Sequence, residues 1–503
     1  MKNILKFLAV FITITGLGIS SCTDLDESLE DRLTKDQVTA ANVTDLLTEL
    51  YNTINQLDGG GDQIIFEHTT DVLIAPTRGG DWDDNGAWRA LHQHKWDPEH
   101  SSIMGRYQYY TSGLFSAIDL LQYETTSQQE AEARFIRAFF VFWITDGWGQ
   151  VPMRDPGSAL ADDPYVMTGA EGIDFVISEL ESIMGNLPAN DNTWVATQAA
   201  AHALLAKAYL NRDLFSSDRQ SFTFSADNMQ KVISNCDAII NDGSFALESD
   251  YFKVFSADNE NSKEIIFSAH NTAGLLSGGV QGRYYSTLHY NQKPSGWNGF
   301  TTLADFYDSF EESDARRHGE VAAVKAYSGL DAGLLYGQQY DENGTALNDR
   351  QGNPLSFTKE SPIISGGATL ETSGIRILKY TPDPENVDSP GNDLAIFRYS
   401  DVLLMKAEAL MRTGDNAGAL AIVNQLRTVR NASALGSIDE TTMLAERGRE
   451  LYDENWRRND LQRFGKYLDA WSEKPASDPK YLLFPFSSGQ LASNPNLTQN
   501  PGY

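Results

Sequence analysis

The segment "GGDWDDNGAW", Gly79 to Trp88, concentrates carboxylates, an amide and two tryptophans in one short stretch. Such a composition suits a calcium loop, a pair of acid–base carboxylates, or a platform for a flat ligand. An EF-hand calcium loop needs oxygen ligands at alternate positions and a bidentate carboxylate at its end. The first half of that pattern is present, but the ninth position is Arg89 and the closing position is His92. A cation beside the metal and the missing carboxylate argue against calcium.

The same segment suits a carbohydrate ligand. Sugar rings present apolar C–H faces and hydroxyl rims, so a sugar site needs flat aromatic rings surrounded by polar side chains. We expect Trp82 to be exposed, because charged residues flank it and the preceding "TRGG" lets the backbone turn sharply. Trp88 precedes the alternating run "RALHQH", which favours burial. The candidate polar contacts are Asp81, Asp83, Asp84, Asn85 and Arg89.

A second aromatic cluster lies in "GRYYSTLHYNQKPSGWNGF". Trp297 stands between glycines with Asn298 beside it, and glycine-rich flanks are typical of a surface loop. We therefore predict that Trp297 is a second stacking ring and that Asn298 is a polar contact. Tyr290 is a weaker candidate for the same site. The tyrosines of this cluster are equally consistent with a hairpin that packs on helices.

Three histidines, His92, His94 and His100, raise the question of a zinc site. No cysteine or further histidine pair completes a known zinc spacing, so we predict no metal and no cofactor. Catalysis finds no support either, because no G-x-S-x-G elbow, phosphate-binding loop or H-E-x-x-H helix is present. With 69 acidic residues, some carboxylate pair would satisfy any glycosidase distance by chance.

The segment "ERGRELYDENWRRNDLQR" is dense in charge at helical spacing. Acids and arginines three or four residues apart can pair along one side of a helix. We expect a solvated, salt-bridged helix face. The residues concerned are Glu446, Arg447, Arg449, Glu450, Glu454, Arg457 and Arg458.

The chain begins with the features of an export signal. Lys2 and Lys6 precede an apolar run over 7–18 that is too short to span a bilayer, and small residues then lead to Cys22. This order predicts a lipoprotein signal over 1–21 with lipid attached to Cys22; an ordinary secretory signal is the alternative. Cys236 then has no disulfide partner, and its apolar helical surroundings predict a buried thiol.

The charge balance limits the partners. The formal net charge is −30 for the full chain and 37 − 69 = −32 after removal of residues 1–21. So acidic a chain repels phosphate backbones, which argues against nucleic acid as a partner. No later segment has about 20 consecutive apolar residues, so we expect no further membrane span.

Helical periodicity dominates the element pattern. Apolar stripes at helical spacing occur in "EARFIRAFFVFW", in "TQAAAHALLAKAYL", and in the pair "FRYSDVLLMKAEALMRTGD" and "NAGALAIVNQLRTVR". The pair has the small-residue spacing of a tetratricopeptide repeat, with Gly414 and Asp415 at the turn. We predict a mostly α fold in one domain, 22–503, with a helical scaffold mainly over 35–240 and 392–470. Between them, "KEIIFSAH" and a two-residue Asn343-Gly344 hairpin signal indicate an irregular, partly β insertion over about 245–390.

The chain resembles the SusD/RagB family of Bacteroidetes outer-membrane lipoproteins. The matching stretches keep the family's order almost from end to end. They are the signal ending at Cys22, "AEARFIRAFFVFWITDGWGQVPM", "AHALLAKAYL", "YFKVF" followed by "SKEIIFS", "FRYSDVLLMKAEALM", "AERGRELYDENWRRNDLQRFGK" and "LFPFSSGQLASNPNLTQNPGY".

The resemblance implies a surface-exposed, lipid-anchored protein of the cell outer membrane that binds glycans and is not an enzyme. It implies four tetratricopeptide-like helix pairs, with the helical side facing a TonB-dependent SusC-like transporter to which oligosaccharide is delivered. Because the chain is acidic and neither aromatic cluster has a strong basic patch, we expect a neutral glycan. We favour a β-glucan such as laminarin, with starch, mannan, fructan and xylan open. A glycoside hydrolase on a helical scaffold and a non-binding structural partner of the transporter are the alternatives.

Overall fold

The structure, a computed structural model, describes residues 38–57, 61–159 and 161–503. The predicted signal over 1–21 and the lipid site at Cys22 lie outside the described residues. The α-helices are α1 Ala40–Asn55, α2 Asp62–Phe66, α3 Ala87–His92, α4 Ser101–Leu120, α5 Ser127–Trp148, α6 Gly169–Ile183, α7 Gln198–Phe215, α8 Ala226–Asp242, α9 Gln281–Thr287, α10 Ala304–Asp308, α11 Ala322–Ser328, α12 Tyr399–Arg412, α13 Asn416–Val429, α14 Glu440–Leu451, α15 Arg457–Arg463 and α16 Ser488–Ser493.

The longest helix, α5, shows how the sequence sets these elements. Thr126 caps its first turn in a capping box with Gln129, and Gly149 ends it in the left-handed conformation at φ +69°. Almost every residue of its second half is buried, because helices pack on several sides of it. None of the helices in the described part of the chain combines the length and the apolar character that crossing a bilayer requires.

The long helices pack against their neighbours in sequence. Contacts join α4 with α5, α5 with α6, α6 with α7, and α7 with α8, and α12 joins α8 to α13. In the α12–α13 pair, Ala407, Ala419 and Val423 are fully buried at the tetratricopeptide spacing, and Asp415 caps α13. The mostly α fold is confirmed, as is the burial of Cys236 on α8.

The strands are short. They are β1 Leu73–Ile74, β2 Thr77–Arg78, β3 Gln150–Met153, β4 Tyr165–Thr168, β5 Ile265–Ala269, β6 Thr301–Thr302, β7 His318–Gly319, β8 Ala332–Leu335, β9 Gly337–Gln338, β10 Ser356–Phe357, β11 Ile364–Ser365, β12 Arg376–Leu378 and β13 Leu394–Arg398. Two pairings matter for function. β1 pairs antiparallel with β6, and β2 pairs parallel with β11. These pairings hold the segment that follows β2 against the region predicted as an insertion.

The hairpin at Asn343 and Gly344 differs from its prediction. A bridge joins Tyr340 to Ala346, and the Asp341 amide donates to the Thr345 carbonyl, so the loop has three residues instead of two. Gly344 is left-handed at φ +76°, whereas Asn343 is not. A two-residue type I′ turn needs positive φ at both positions, which explains the longer loop.

The charge-dense segment over 446–463 is salt-bridged but not solvated, so the prediction of a solvated face is wrong. Glu450 is fully buried and contacts Arg316, Arg398 and Arg430, with Nη2 of Arg430 2.9 Å from its Oε1. Arg398 also binds the buried Glu454 through Nε at 2.7 Å and Nη2 at 2.6 Å. Because the partner arginines come from distant parts of the chain, local spacing did not reveal the burial.

The buried carboxylates of this network predict loss of stability in acid. Burial alone would raise the pKa of Glu446, but Arg316, Arg449 and Arg427 together lower it from 4.5 to about 2. A carboxyl with a depressed pKa in the folded state stabilises that state above its unfolded pKa, and the stabilisation is lost as pH falls toward 2.

We therefore expect the free energy of unfolding to drop by several kcal/mol between about pH 6 and about pH 3, as measured by urea denaturation. Because buried pairs are weakly screened, added salt should leave most of the drop in place. A free energy of unfolding that stays constant over this range would contradict the assignment.

Candidate functional site

The segment that carries Trp82 begins at a tight turn after β2. Arg78 and Asp81 exchange backbone hydrogen bonds of 2.8 and 3.1 Å, and Gly79 between them is left-handed at φ +65°. The sharp turn expected from "TRGG" is therefore present. Trp82 follows with its own φ at +60°, a conformation that a bulky residue rarely adopts. The turn points Trp82 away from β2 and toward the loop that carries Trp297.

The two predicted tryptophans meet, although they are far apart in sequence. The Trp82 indole Nε1 donates a 2.9 Å hydrogen bond to the Trp297 carbonyl. Trp82 is half-buried and not fully exposed as predicted, because its ring also lies 5.1 Å from Phe300 and 5.2 Å from Trp88, centroid to centroid. Trp297 is 52% exposed. The structure thus brings the Trp82 indole to the backbone of Trp297, and both residues are partly exposed.

Tyr285 extends this surface. Its ring stacks on Trp297 with centroids 5.6 Å apart and an interplanar angle of 23°, and its hydroxyl donates to Asp388 at 2.6 Å. One side of the Trp297 indole is therefore supported by a tyrosine that is itself fixed. We call the set of Trp82, Trp297 and Tyr285 the aromatic platform.

Trp88 lies behind the platform. Its ring contacts Trp82, Phe300 and the buried His68, and it is half-buried instead of sealed in the core. Its Nε1 donates to Asp84 Oδ2 at 2.6 Å. Asp84 was predicted as a sugar contact, but one of its oxygens already orients Trp88.

A polar rim borders the platform next to Trp82. The Tyr290 hydroxyl donates to Asp81 Oδ2 at 2.7 Å, and the Arg350 guanidinium lies 3.7 Å from the centre of the Tyr290 ring. Burial, together with the bond to Asp81, raises the pKa of Tyr290 to about 12, so its hydroxyl stays protonated at neutral pH. Asp81 and Tyr290 were predicted here, and the structure brings them together.

Arg350 was missed. It lies in a turn held by Asp349 and has no aromatic neighbour in sequence, so only the tertiary fold brings it to Tyr290. Beneath it, the buried Glu371 accepts from the Arg350 backbone amide at 3.0 Å and from Nε at 2.7 Å. His289 bonds the same carboxylate at 2.9 Å, and burial lowers its pKa to about 4, so it is neutral.

Asn298 is not a surface contact, and that prediction is wrong. The side chain is fully buried; it donates to the Glu371 carbonyl at 3.1 Å and accepts from Arg376 at 2.7 Å. Its φ of +55° turns the loop so that Trp297 faces outward while Asn298 faces inward. Asparagine tolerates this conformation better than most residues, which explains its presence beside the exposed tryptophan.

The remaining predicted contacts differ in their solvent exposure and in the hydrogen bonds that they already make. Arg89 donates from Nη1 to both Thr77 and Asp83 at 2.5 Å, so it braces the turn as well as bordering the site. The Asp83 side chain is 45% exposed, and Asn85 is exposed. These residues remain candidates for ligand contact at the margin of the platform.

The site is close to neutral in formal charge, unlike the chain. Five carboxylates and four guanidiniums lie in or under it, which gives 4 − 5 = −1. Arg78 and Arg376 are buried and bond to backbone carbonyls below the rim. The carboxylates are Asp81, Asp83, Asp84, Glu371 and Asp388, and the other guanidiniums are Arg89 and Arg350.

The three histidines considered for zinc are buried and do not converge. Each ring nitrogen of His92 lies within 3.2 Å of a backbone carbonyl, and those of His94 contact Thr69 and Ser477 at 2.9 Å. Burial lowers the pKa of both imidazoles. Within the described residues, no group of three or more histidine, cysteine or acidic side chains is arranged to hold a metal ion.

The model of the SusD family matches residues 263–503. The starch-binding protein SusD of Bacteroides thetaiotaomicron is 26% identical over 434 residues, which cover 75% of this chain and 73% of that protein. Residues 263–503 carry the match to the SusD family, and the chain is similar to its members. The SusD-like protein P38 of Formosa agariphila is 23% identical over 398 residues, which cover 75% of this chain and 74% of that protein.

Solved SusD-family structures share the fold. A SusD-like protein from Bacteroides fragilis superposes with a TM-score of 0.72 at 19% identity, over 94% of this chain and 99% of that one. A laminarin-binding SusD-like protein superposes with a TM-score of 0.71 at 19% identity, over 92% of this chain and 99% of that one. At this identity the similarity establishes the architecture alone.

Proposed function

We propose that this SusD-like protein captures a neutral glycan by stacking sugar rings on the aromatic platform. The observation that carries the proposal is the hydrogen bond from Trp82 Nε1 to the main-chain carbonyl of Trp297, which fixes one partly exposed indole beside the residue that carries the other. Sugar C–H faces stack on such rings, and the rim of Asp81, Tyr290 and Arg350 offers hydroxyl partners. Affinity should be modest, about micromolar or weaker, because a flexible glycan loses entropy on binding.

The near-neutral charge of the site supports a neutral ligand. A sulfated or uronic polymer would meet a chain of net charge −30 and gain no compensating basic patch at the platform. Two relatives are named for glucans: one binds starch and one binds laminarin. A β-glucan such as laminarin remains our preferred ligand, with starch next.

A binding role fits the chemistry of the site better than hydrolysis does. A glycosidase needs a carboxylic acid whose pKa is raised so that it can donate a proton. Burial pushes the pKa of Glu371 upward, but its bonds to Arg350 and His289 lower it overall. A carboxyl held ionised in this way cannot act as the general acid at neutral pH.

The family supports a role in delivery to a transporter, because its members are cell-surface lipoproteins that work with SusC-like transporters. We propose that this protein is attached through Cys22 to the outer membrane and passes glycan to a TonB-dependent partner. Weak binding suits this role, because the ligand must also be released.

Replacing Trp297 with alanine tests the proposed function. Loss of a stacking ring should cost about 1–2 kcal/mol, which is about a tenfold loss of affinity. The measurement is retardation in native gels that contain laminarin, starch, mannan, fructan or xylan, followed by calorimetry on the polymer that retards the wild-type protein. We expect retardation by at least one of these neutral polymers and a loss in Trp297→Ala.

Tyr165→Ala is the matched control. Tyr165 is 47% exposed on β4, whose pairing with β3 leaves it outside the platform. Its replacement should leave retardation unchanged. Free movement of the wild-type protein through every gel, or Trp297→Ala binding as tightly as wild type, would reject the proposed site. Release of reducing ends during long incubation would instead favour a hydrolase.

A further inference from the structure

Arg350 presents hydrogen-bond donors in a fixed orientation. Its Nε and its backbone amide both donate to the buried Glu371 carboxylate, and its guanidinium is stacked on Tyr290. The side chain is nonetheless 49% exposed. Anchored from below and from one side, the guanidinium can direct its Nη groups only toward solvent and Asp81.

The contact between Arg350 and Asp81 is loose. Arg350 Nη2 lies 3.8 Å from Asp81 Oδ2, which is too long for a direct hydrogen bond. The Asp81 side chain is 54% exposed, and the same Oδ2 atom accepts from Tyr290. A donor and an acceptor therefore face one another across a gap, each with unused capacity.

A hydroxyl group fits this gap because it both donates and accepts. An oxygen about 2.8 Å from each atom would close a triangle with the 3.8 Å separation, accepting from Arg350 and donating to Asp81. We propose that Arg350 and Asp81 together recognise one hydroxyl of the sugar unit that stacks on Trp82. This inference rests on the proposed function and makes Arg350 a determinant of specificity.

The gap also discriminates between ligands by charge. A carboxylate or sulfate placed there would be attracted by Arg350 but repelled by Asp81. An ammonium would be attracted by Asp81 but repelled by Arg350. Because Asp81 directly precedes Trp82, the polar contact and the stacking ring lie within reach of one sugar unit. A neutral sugar that lacks this hydroxyl would form neither the hydrogen bond from Arg350 nor the hydrogen bond to Asp81.

The experiment compares Arg350→Gln and Arg350→Lys with wild type, using whichever polymer of the five-member panel is retained most strongly. A hydrogen bond to a charged group predicts about a tenfold or greater loss of affinity for both variants. Lysine should fail because its three donors lie on one nitrogen, so an ammonium bonded to Glu371 would place no donor where Arg350 Nη2 now lies. Monodeoxy oligosaccharides of the same polymer should include one that wild type and Arg350→Gln bind equally.

Arg317→Gln is the matched control, since Arg317 also lies on a tyrosine, 4.3 Å from the Tyr307 ring, outside the platform. It should bind like wild type. Normal binding by Arg350→Gln while Trp297→Ala fails would overturn the inference and leave the proposed function intact. Normal binding by Arg350→Lys would show that charge alone suffices, which also overturns it. A wild-type protein that no polymer retains would reject both.

Discussion

Replacing Arg398 with methionine should lower the free energy of unfolding by about 3–5 kcal/mol. Arg398 is 1% exposed and bonds Glu454 twice, Glu264 through Nη1 and the Glu450 carbonyl at 3.0 Å. Methionine keeps much of the volume but removes one of the cations of the network. The buried carboxylates keep only Lys379, Arg316 and Arg430 and so lose part of their counter-charge. A buried carboxylate that lacks counter-charge lowers the free energy of unfolding by far more than a surface ion pair raises it, because few water molecules can reach the buried group.

The measurement for Arg398→Met is the midpoint and slope of urea denaturation. Arg212→Met is the control, because the Arg212–Asp174 pair is 40% and 53% exposed and should contribute less than about 1 kcal/mol. Equal effects of the two substitutions would mean that the buried network does not stabilise the fold. The acid sensitivity of Arg398→Met should also shift toward higher pH, because one of the cations that depress the neighbouring pKa values is gone.

This network also shows where sequence reasoning stopped. Helical spacing placed most of the charges of 446–458 on helices, although Glu454 lies in the turn between α14 and α15. Of the local pairs that it predicted, Arg449 with Glu446 forms, but the assignment of the face to solvent was wrong. Solvent exposure depends on what packs against a helix, and here Arg316, Arg398 and Arg430 approach from other elements. The long helices were predictable because their apolar stripes and caps are local signals.

The site was partly predictable for the same reason. Trp82 and Trp297 each stand in glycine-rich, polar surroundings, which marked them as surface candidates, although nothing in the sequence showed that they meet. Asn298 was wrongly assigned to the surface because its left-handed φ turns its side chain inward while that of Trp297 faces outward. Nothing in the sequence showed this conformation. Arg350 gave no signal, since its role comes from Tyr290 and Glu371, which the fold brings to it.

Replacing Gly299 with alanine should abolish detectable glycan binding. A Cβ at Gly299 would lie 2.3 Å from Cε2 and Cζ2 of the Trp82 indole, closer than any real contact. The Gly299 backbone amide donates a 2.8 Å hydrogen bond to the Ser286 carbonyl, which holds the glycine in place. The indole is therefore the part that must move. A displaced indole loses its bond to the Trp297 carbonyl, so the change disturbs both stacking rings and should cost about a hundredfold in affinity.

Gly80→Ala separates this steric effect from glycine replacement in general. Gly80 lies in the same segment as Trp82, yet a Cβ there would meet nothing within 4 Å. It should bind glycan like wild type. Overpacking at Gly299 should also cost about 1–3 kcal/mol of stability, so near-ultraviolet circular dichroism and thermal unfolding must accompany the gels. If Gly299→Ala stays folded and binds normally, Trp82 is not part of the binding surface. If it stays folded and loses binding while Gly80→Ala does not, the position of one indole ring determines capture, because the rest of the platform is unchanged in sequence.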